Sequence, residues 1–178
     1  SRRYSINVGT LPAPQLDAVV NSASYQAGAV APGEILALFG LNLDGIRALI
    51  NGVPAPILYT TPTQSSVIVP FASASRDSVD LILERAGLQS LPLRLRIAGA
   101  KPGIYTQNGS GQGAAAALNQ NASLNTEVNP AAAGGVIVVY GTGLGELEGA
   151  VIDGTPAATA ALARVFVERQ LRATLDGE

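Results

Sequence analysis

The feature that most limits what this chain can fold into is an internal repeat. The segment Gly33–Leu43 matches Gly134–Leu144 in residue character, at an offset of 101 residues (134 − 33). Each copy is a short apolar run that ends at a glycine, Gly40 in the first and Gly141 in the second. A short apolar run bounded by turn residues predicts a buried strand, and self-similarity at a fixed spacing predicts repeated structural units. We therefore expect two modules of the same kind in tandem.

A second match extends the repeat. Ile46–Gly52 matches Leu171–Gly177 at an offset of 125 residues (171 − 46), which leaves about 24 additional residues (125 − 101) between the matched strands of the second copy. A competing alignment pairs residues 51–55 with residues 153–157 and ranks second, because the seven-residue match retains the strand, the arginine and the turn together. In the first copy the hairpin is followed by further strand sequence, whereas in the second it is followed by Glu178 alone. We expect the second module to be incomplete in this chain.

Strand signals dominate residues 30–98. Six short runs alternate in polarity or are continuously apolar, at the spacing of an immunoglobulin-like sandwich: Glu34–Gly40, Ile46–Ile50, Ile57–Tyr59, Ser66–Pro70, Ser78–Leu83 and Leu91–Ile97. Asn51–Gly52 is a strong hairpin signal, and Ile57–Tyr59 is expected on its return side. Val79–Leu88 also fits a short helix, but its alternation favours a strand.

These patterns predict the following organisation. Residues 1–14 hold an orphan strand, Tyr4–Val8, and a linker from the end of a preceding module. Residues 15–100 form the first sandwich, with Val19 and Val20 facing inward. Residues 101–130 form a connector rich in Gly, Asn and Ala, in which Ala114–Leu118 is a strand or one helical turn. Residues 131–178 form the partial second sandwich, with strands at residues 134–141, 161–167 and 170–175.

Several segments of the chain together resemble a known protein family. The resemblance rests on these segments: Val20–Tyr25, Ala31–Gly33, Phe39–Gly40, Asn51–Pro56, Ser65–Pro70, Pro102–Tyr105 and Gly109–Asn119. They are similar to the tandem IPT/TIG-like modules, which are immunoglobulin-like, of exported and mostly uncharacterised acidobacterial proteins. The resemblance implies an all-β fold of tandem sandwiches, a bacterial extracellular or cell-surface location, and a second module that continues past Gly177. The family has no established catalytic residues, so the resemblance implies none here.

Composition excludes several functions. The net charge is −2 and no basic stripe is present, so nucleic-acid binding is not expected. No apolar run is long enough to span a membrane, and no signal peptide begins at Ser1. The chain has no Cys, His, Met or Trp and a single lysine, Lys101. Zinc or copper sites and a His-based triad are therefore excluded. We expect no enzyme activity and no cofactor.

Calcium is the one metal that remains as an alternative, because it needs only oxygen ligands. Asp44, Asp153 and residues 119–129 could supply them. The chain has no Asp-x-Asp-x-Asp spacing, so this alternative is disfavoured.

Two functional hypotheses follow. The first is a secreted structural module that associates head to tail into a filament or surface layer by β-strand complementation, which makes this chain a homo-oligomer or polymer. The strands that would take part contain these residues: Tyr4, Ile6, Val8, Leu171 and Leu175. The alternative is an adhesion module that binds carbohydrate or a surface protein and is appended to a larger secreted enzyme or propeller. Tyr59 and Tyr105 would then stack on the ligand.

Overall fold

A computed structural model of the protein describes residues 11–149 and 152–155. Thirteen strands and one short 3-10 turn (Phe71–Ser73) form in these ranges. The strands are β1 (Gln15–Asn21), β2 (Ile35–Leu41), β3 (Arg47–Ile50), β4 (Val53–Ala55), β5 (Ile57–Thr60), β6 (Gln64–Ile68), β7 (Ser78–Arg85), β8 (Leu88–Gln89), β9 (Leu93–Arg96), β10 (Gly103–Ile104), β11 (Ala117–Asn119), β12 (Ile137–Val139) and β13 (Gly141–Thr142). The prediction of an all-β chain is confirmed. Among the described residues, no helix has the length and apolar character to cross a membrane.

Two antiparallel sheets form the first sandwich. One sheet has the order β1-β2-β6-β5. The other has the order β4-β3-β7-β8, and β9 also pairs with β7. Alternate side chains of both sheets point into one core, because successive residues of a strand face opposite sides. The fully buried members of this core include Leu36, Leu38, Val67, Leu81 and Leu83.

The hairpin predicted at Asn51–Gly52 is confirmed. Both residues have positive φ, +49° and +77°, which is the backbone of a two-residue turn that matches the strand twist. The prediction for Ile57–Tyr59 is wrong. The return strand of the hairpin is β4, and β5 crosses to the other sheet to pair with β6. Pro56 lies between β4 and β5, where the missing N–H suits a break in pairing.

The strand predicted within Val79–Leu88 is also confirmed, since β7 pairs with β3, β8 and β9. In β9 the predicted alternation holds only in part: Leu95 is buried and Arg94 and Arg96 are exposed, but Leu93 is exposed as well. Arg94 lies 3.6 Å from Asp80 across the strand pair.

A second ribbon follows the first sandwich. β10 pairs with β13, and β11 pairs with β12. The strand predicted at Gly134–Gly141 therefore forms in two pieces, but the prediction that it is buried is wrong. Ile137, Val138 and Val139 are 41%, 48% and 43% exposed. The reason is that β12 has β11 as its only strand neighbour within the part of the chain that the structure describes.

The strand pairing extends the internal repeat beyond the sequence match. In the first sandwich Asn21 pairs with Leu36, and in the second ribbon Asn119 pairs with Ile137. Leu36 and Ile137 are equivalent in the sequence repeat, at the same offset of 101 (137 − 36). β11 is therefore the structural counterpart of the end of β1. By the same register β10 is the counterpart of Gln15–Leu16, since β10 faces β13 as Gln15–Leu16 faces Gly40 and Leu41.

The counterpart of β1 in the second ribbon is therefore divided into two strands, β10 and β11. In β1 the register shifts by one residue between Leu16 and Ala18, which is a β-bulge. At the equivalent place the second ribbon inserts a loop between Tyr105 and Ala116. Two backbone hydrogen bonds, from Ala116 N to Tyr105 O (2.7 Å) and from Gln107 N to Ala114 O (2.9 Å), close the loop on itself. We call residues 106–115 the inserted loop.

Gly40 and Gly141 occupy equivalent positions for the same steric reason. A Cβ on Gly40 would lie 2.0 Å from the carbonyl oxygen of Gln15, and a Cβ on Gly141 would lie 2.7 Å from that of Gly103. Both are closer than any side-chain carbon can approach. The glycine that ends each apolar run therefore lets the neighbouring strand come close.

Some predictions lie outside the described residues. They are the orphan strand Tyr4–Val8 and the strands at residues 161–167 and 170–175, and with them Ile6, Leu171 and Leu175. The predicted module boundaries and the immunoglobulin-like classification stay predictions.

Candidate functional site

Three of the five tyrosines meet in one cleft. Tyr25 follows β1, Tyr59 lies on β5, and Tyr105 immediately precedes the inserted loop. The cleft has a volume of about 270 Å³ and lies between the outer face of the β1-β2-β6-β5 sheet and the inserted loop. We call it the tyrosine cleft. Its other polar lining residues are Ser22, Gln64, Ser66 and Thr106.

Tyr25 is held at the cleft by a tight turn that Asn21 organises. Oδ1 of Asn21 accepts hydrogen bonds from the backbone N–H groups of Ala23 (2.9 Å) and Ser24 (3.0 Å). The backbone N–H of Tyr25 then donates to the carbonyl of Asn21 at 2.9 Å. The result is a φ of +55° at Tyr25. Such a conformation is strained for a bulky residue and persists only where its surroundings impose it.

The inserted loop packs closely against this turn at Gly111. A Cβ on Gly111 would lie 2.7 Å from the carbonyl oxygen of Ser24 and 3.1 Å from Cδ2 of Tyr25. Thr106 stabilises the loop from within, because its Oγ1 accepts a hydrogen bond from Gly111 N at 3.1 Å. The insertion that splits the second ribbon thus forms one wall of the cleft.

The phenol groups are close enough to affect one another. Burial raises the pKa of the Tyr59 phenol, and the neighbouring phenols of Tyr25 and Tyr105 raise it further. The hydroxyl of Tyr105 shares a 2.7 Å hydrogen bond with Ser22. The Tyr59 phenol therefore stays protonated near neutral pH, where it can donate as well as accept a hydrogen bond.

Next to the cleft, the side chains of Asn21 and Glu34 form a buried polar pair. The Glu34 carboxylate is 0% exposed. Its Oε1 accepts a 2.8 Å hydrogen bond from Nδ2 of Asn21, and its Oε2 accepts a 2.6 Å bond from Ala31 N. Burial raises the pKa of Glu34, although hydrogen bonds from Ala31 and Asn21 and the charge of Lys101 oppose the rise.

This polar pair connects the first sandwich to the second ribbon through Asn21. Nδ2 of Asn21 also donates to the carbonyl of Lys101 at 3.2 Å, while Nζ of Lys101 donates to the carbonyls of Gln26 and Ala27. The hydroxyl of Thr142 in β13 accepts a 2.8 Å hydrogen bond from Ile35 N in β2. These contacts fix the second ribbon, which carries the inserted loop, relative to the sheet, so both units form the cleft.

The structure brings Tyr59 and Tyr105 together, as a shared binding role requires, although they are 46 residues apart (105 − 59) in the sequence. Sequence reasoning missed Tyr25. The available signal was the run Asn21–Ser24, because Asn and Ser favour turns in which a side chain bonds nearby backbone N–H groups.

The acidic residues considered for calcium have other roles. Oδ2 of Asp44 pairs with Arg85 at 2.6 Å, and Oδ1 of Asp153 accepts a hydrogen bond from Phe71 N at 2.7 Å. Within residues 11–149 and 152–155, no three acidic side chains gather where they could hold a metal ion.

Comparison with known proteins adds no identity. No protein-family model matches the chain, and no curated protein matches it. The resemblance to IPT/TIG-like modules stays a prediction.

Proposed function

We propose that this chain is a non-catalytic structural module of the bacterial cell surface that associates with copies of itself by adding a strand to β12. The observation that carries the proposal is the contrast between two equivalent strands. Leu36, Ala37 and Leu38 in β2 are 0%, 3% and 0% exposed, whereas their counterparts in β12 are 41%, 48% and 43% exposed.

The composition of β12 suits a covered strand. Ile137, Val138 and Val139 are all β-branched and place apolar side chains on both faces. Strands of this kind are normally buried on both sides, and an uncovered one is a template for pairing with another chain. In the first sandwich, β6 and the facing sheet cover β2. Among the described residues, β12 has no equivalent of either.

The free edge of β12 is the proposed site of addition. In the first sandwich β2 lies between β1 and β6, but the described counterpart of that arrangement contains only β11 and β12. The sequence repeat matches Leu171–Leu175 to the region of β3 and not to β6. We therefore propose that a second copy supplies the edge strand, and the alternating segment Tyr4–Val8 is the candidate donor. Because donor and acceptor are different parts of the chain, the contact is heterologous and leads to a filament unless it closes into a ring.

Sedimentation velocity of the 178-residue chain over a wide concentration range tests the proposal. We expect species larger than a dimer that grow with concentration. Val139→Asp should return the chain to a monomer, because a charge at a desolvated edge is strongly unfavourable. Val128→Asp is the matched control, since Val128 is 95% exposed and belongs neither to β12 nor to its partner β11. A wild-type chain that stays monomeric at every concentration contradicts the proposal, as does assembly that Val139→Asp leaves unchanged.

A further inference from the structure

We propose that the tyrosine cleft binds one ring of a neutral carbohydrate, with the ring stacked on an aromatic face and its hydroxyls bonded by the surrounding uncharged groups. This inference does not depend on self-association, because the cleft and β12 share no residues.

The chemistry of the lining points to a neutral ligand. The cleft is lined by tyrosines, small hydroxyl side chains, one amide and apolar residues, and none of its lining residues is charged. An anionic ligand would need a basic partner and a cationic ligand an acidic one, since a buried unpaired charge is costly. A neutral ligand with many hydroxyls meets no such penalty.

The polar groups match a sugar better than a peptide. The hydroxyls of Tyr25, Tyr59 and Tyr105 and the amide of Gln64 can each donate and accept hydrogen bonds. Sugar hydroxyls also donate and accept, and the flat apolar face of a pyranose ring packs on an aromatic ring. A proline-rich peptide offers carbonyl acceptors with few donors and needs an elongated groove of about 3.1 Å per residue.

The volume limits the ligand further. At about 270 Å³ the cleft lies just below the usual range of ligand pockets, which is roughly 300–1,000 Å³. It therefore accommodates one ring, either a monosaccharide or a single unit of a longer glycan that continues into solvent.

The cleft is preorganised, which lowers the entropy lost on binding. Tyr25 is fixed by the turn at Asn21 with φ of +55°, and the Tyr105 hydroxyl is oriented by Ser22. Strain of this kind is a pointer to function where it positions a side chain at a cleft. Here it turns Tyr25 toward Tyr59 and Tyr105.

The test is a glycan array followed by titration calorimetry with the intact chain, using neutral glycans, uronic-acid glycans and a proline-rich peptide as probes. We expect binding to neutral glycans alone. Tyr59→Ala and Tyr25→Ala should each weaken the binding by about tenfold or more through lost stacking. Tyr59→Phe should weaken it less, because the ring is kept and only the hydroxyl is removed.

Tyr140→Ala is the matched control, because Tyr140 is 49% exposed, close to the 44% of Tyr59, and lies outside the cleft. It should bind as the wild type does. Circular dichroism establishes that each variant is folded. If an alanine variant does not fold, Tyr59→Phe, which keeps the ring, still tests whether the Tyr59 hydroxyl contributes to binding. The proposal is overturned if no neutral glycan binds, if the charged glycans or the peptide bind instead, or if the tyrosine variants in the cleft bind as well as Tyr140→Ala does.

Discussion

The side-chain amide of Asn21 donates a 2.8 Å hydrogen bond to Oε1 of Glu34, and both side chains are buried. The second oxygen of Glu34 accepts from Ala31 N, so the site needs two acceptors. Asn21 cannot rotate its amide to compensate, because Oδ1 already accepts from two backbone N–H groups. A carboxylate is the side chain that satisfies this arrangement.

We therefore predict that Glu34→Gln lowers the free energy of unfolding by about 1–3 kcal/mol, because one buried donor then faces an NH₂ group. Urea denaturation at neutral pH measures the change. Glu127→Gln is the control, since Glu127 is exposed and its replacement should change stability by less than about 0.5 kcal/mol. Equal stability of the two variants would contradict the role given to Glu34.

The pH dependence of stability should follow the raised pKa of Glu34. Because burial raises that pKa in the folded state, the folded chain takes up a proton more readily than the unfolded one. The resulting stabilisation is fully present below the unfolded value of 4.5 and is lost as the pH rises through the folded pKa.

The difference in unfolding free energy between wild type and Glu34→Gln should accordingly widen as the pH falls from neutral toward 4.5. The Asp44 carboxyl, whose pKa is lowered by a hydrogen bond from Arg85, acts in the opposite direction. It is present in both proteins and cancels in the difference. A difference that is constant with pH would show that Glu34 has the same proton affinity folded and unfolded.

Gly40→Ala should destabilise the chain more than Gly141→Ala does. The added Cβ would meet the Gln15 carbonyl oxygen at 2.0 Å in the first case and the Gly103 carbonyl oxygen at 2.7 Å in the second. Both neighbours are backbone atoms that move only with their strands, so we expect a loss of about 3 kcal/mol or more for Gly40→Ala, above the usual range for overpacking.

Gly52→Ala separates this steric effect from backbone strain. A Cβ there meets nothing within 4 Å, but φ is +77°, so its cost is limited to about 1–2 kcal/mol. Thermal unfolding of the three variants gives the order. If Gly40→Ala is the mildest of them, the close approach of β1 to β2 is not what requires glycine.

Local signals in the sequence were enough to predict much of the first sandwich. The turn at Asn51–Gly52 is specified by its own two residues, and the alternation in β7 reports which side chains face the core. Ile57–Tyr59 was assigned to the wrong sheet because a strand looks the same whichever sheet it joins. Its partner is chosen by the break at Pro56 and by pairing with β6, which are non-local.

The site was harder to predict, because it depends on pairing rather than on pattern. Tyr59 and Tyr105 were identified singly, but their meeting depends on the insertion that replaces a one-residue bulge in β1 with a ten-residue loop (106–115). Tyr25 was missed because its position depends on a strained turn. The exposure of β12 could not be predicted either, since an apolar strand carries no local sign of whether a partner covers it.

The equivalence of Leu36 and Ile137 yields a final prediction about what covers β12. Leu36 is fully buried, so Leu36→Ala should lower the free energy of unfolding by about 2–5 kcal/mol at every protein concentration. Ile137 is 41% exposed, so Ile137→Ala should cost less than about 1 kcal/mol in a dilute solution of monomers. If a second copy covers β12, that cost should rise with concentration, because association adds stability by mass action. Chemical denaturation of both variants at low and high protein concentration makes the comparison. A small cost for Ile137→Ala at all concentrations would mean that no copy covers β12, and a large cost in dilute solution would mean that the same chain does.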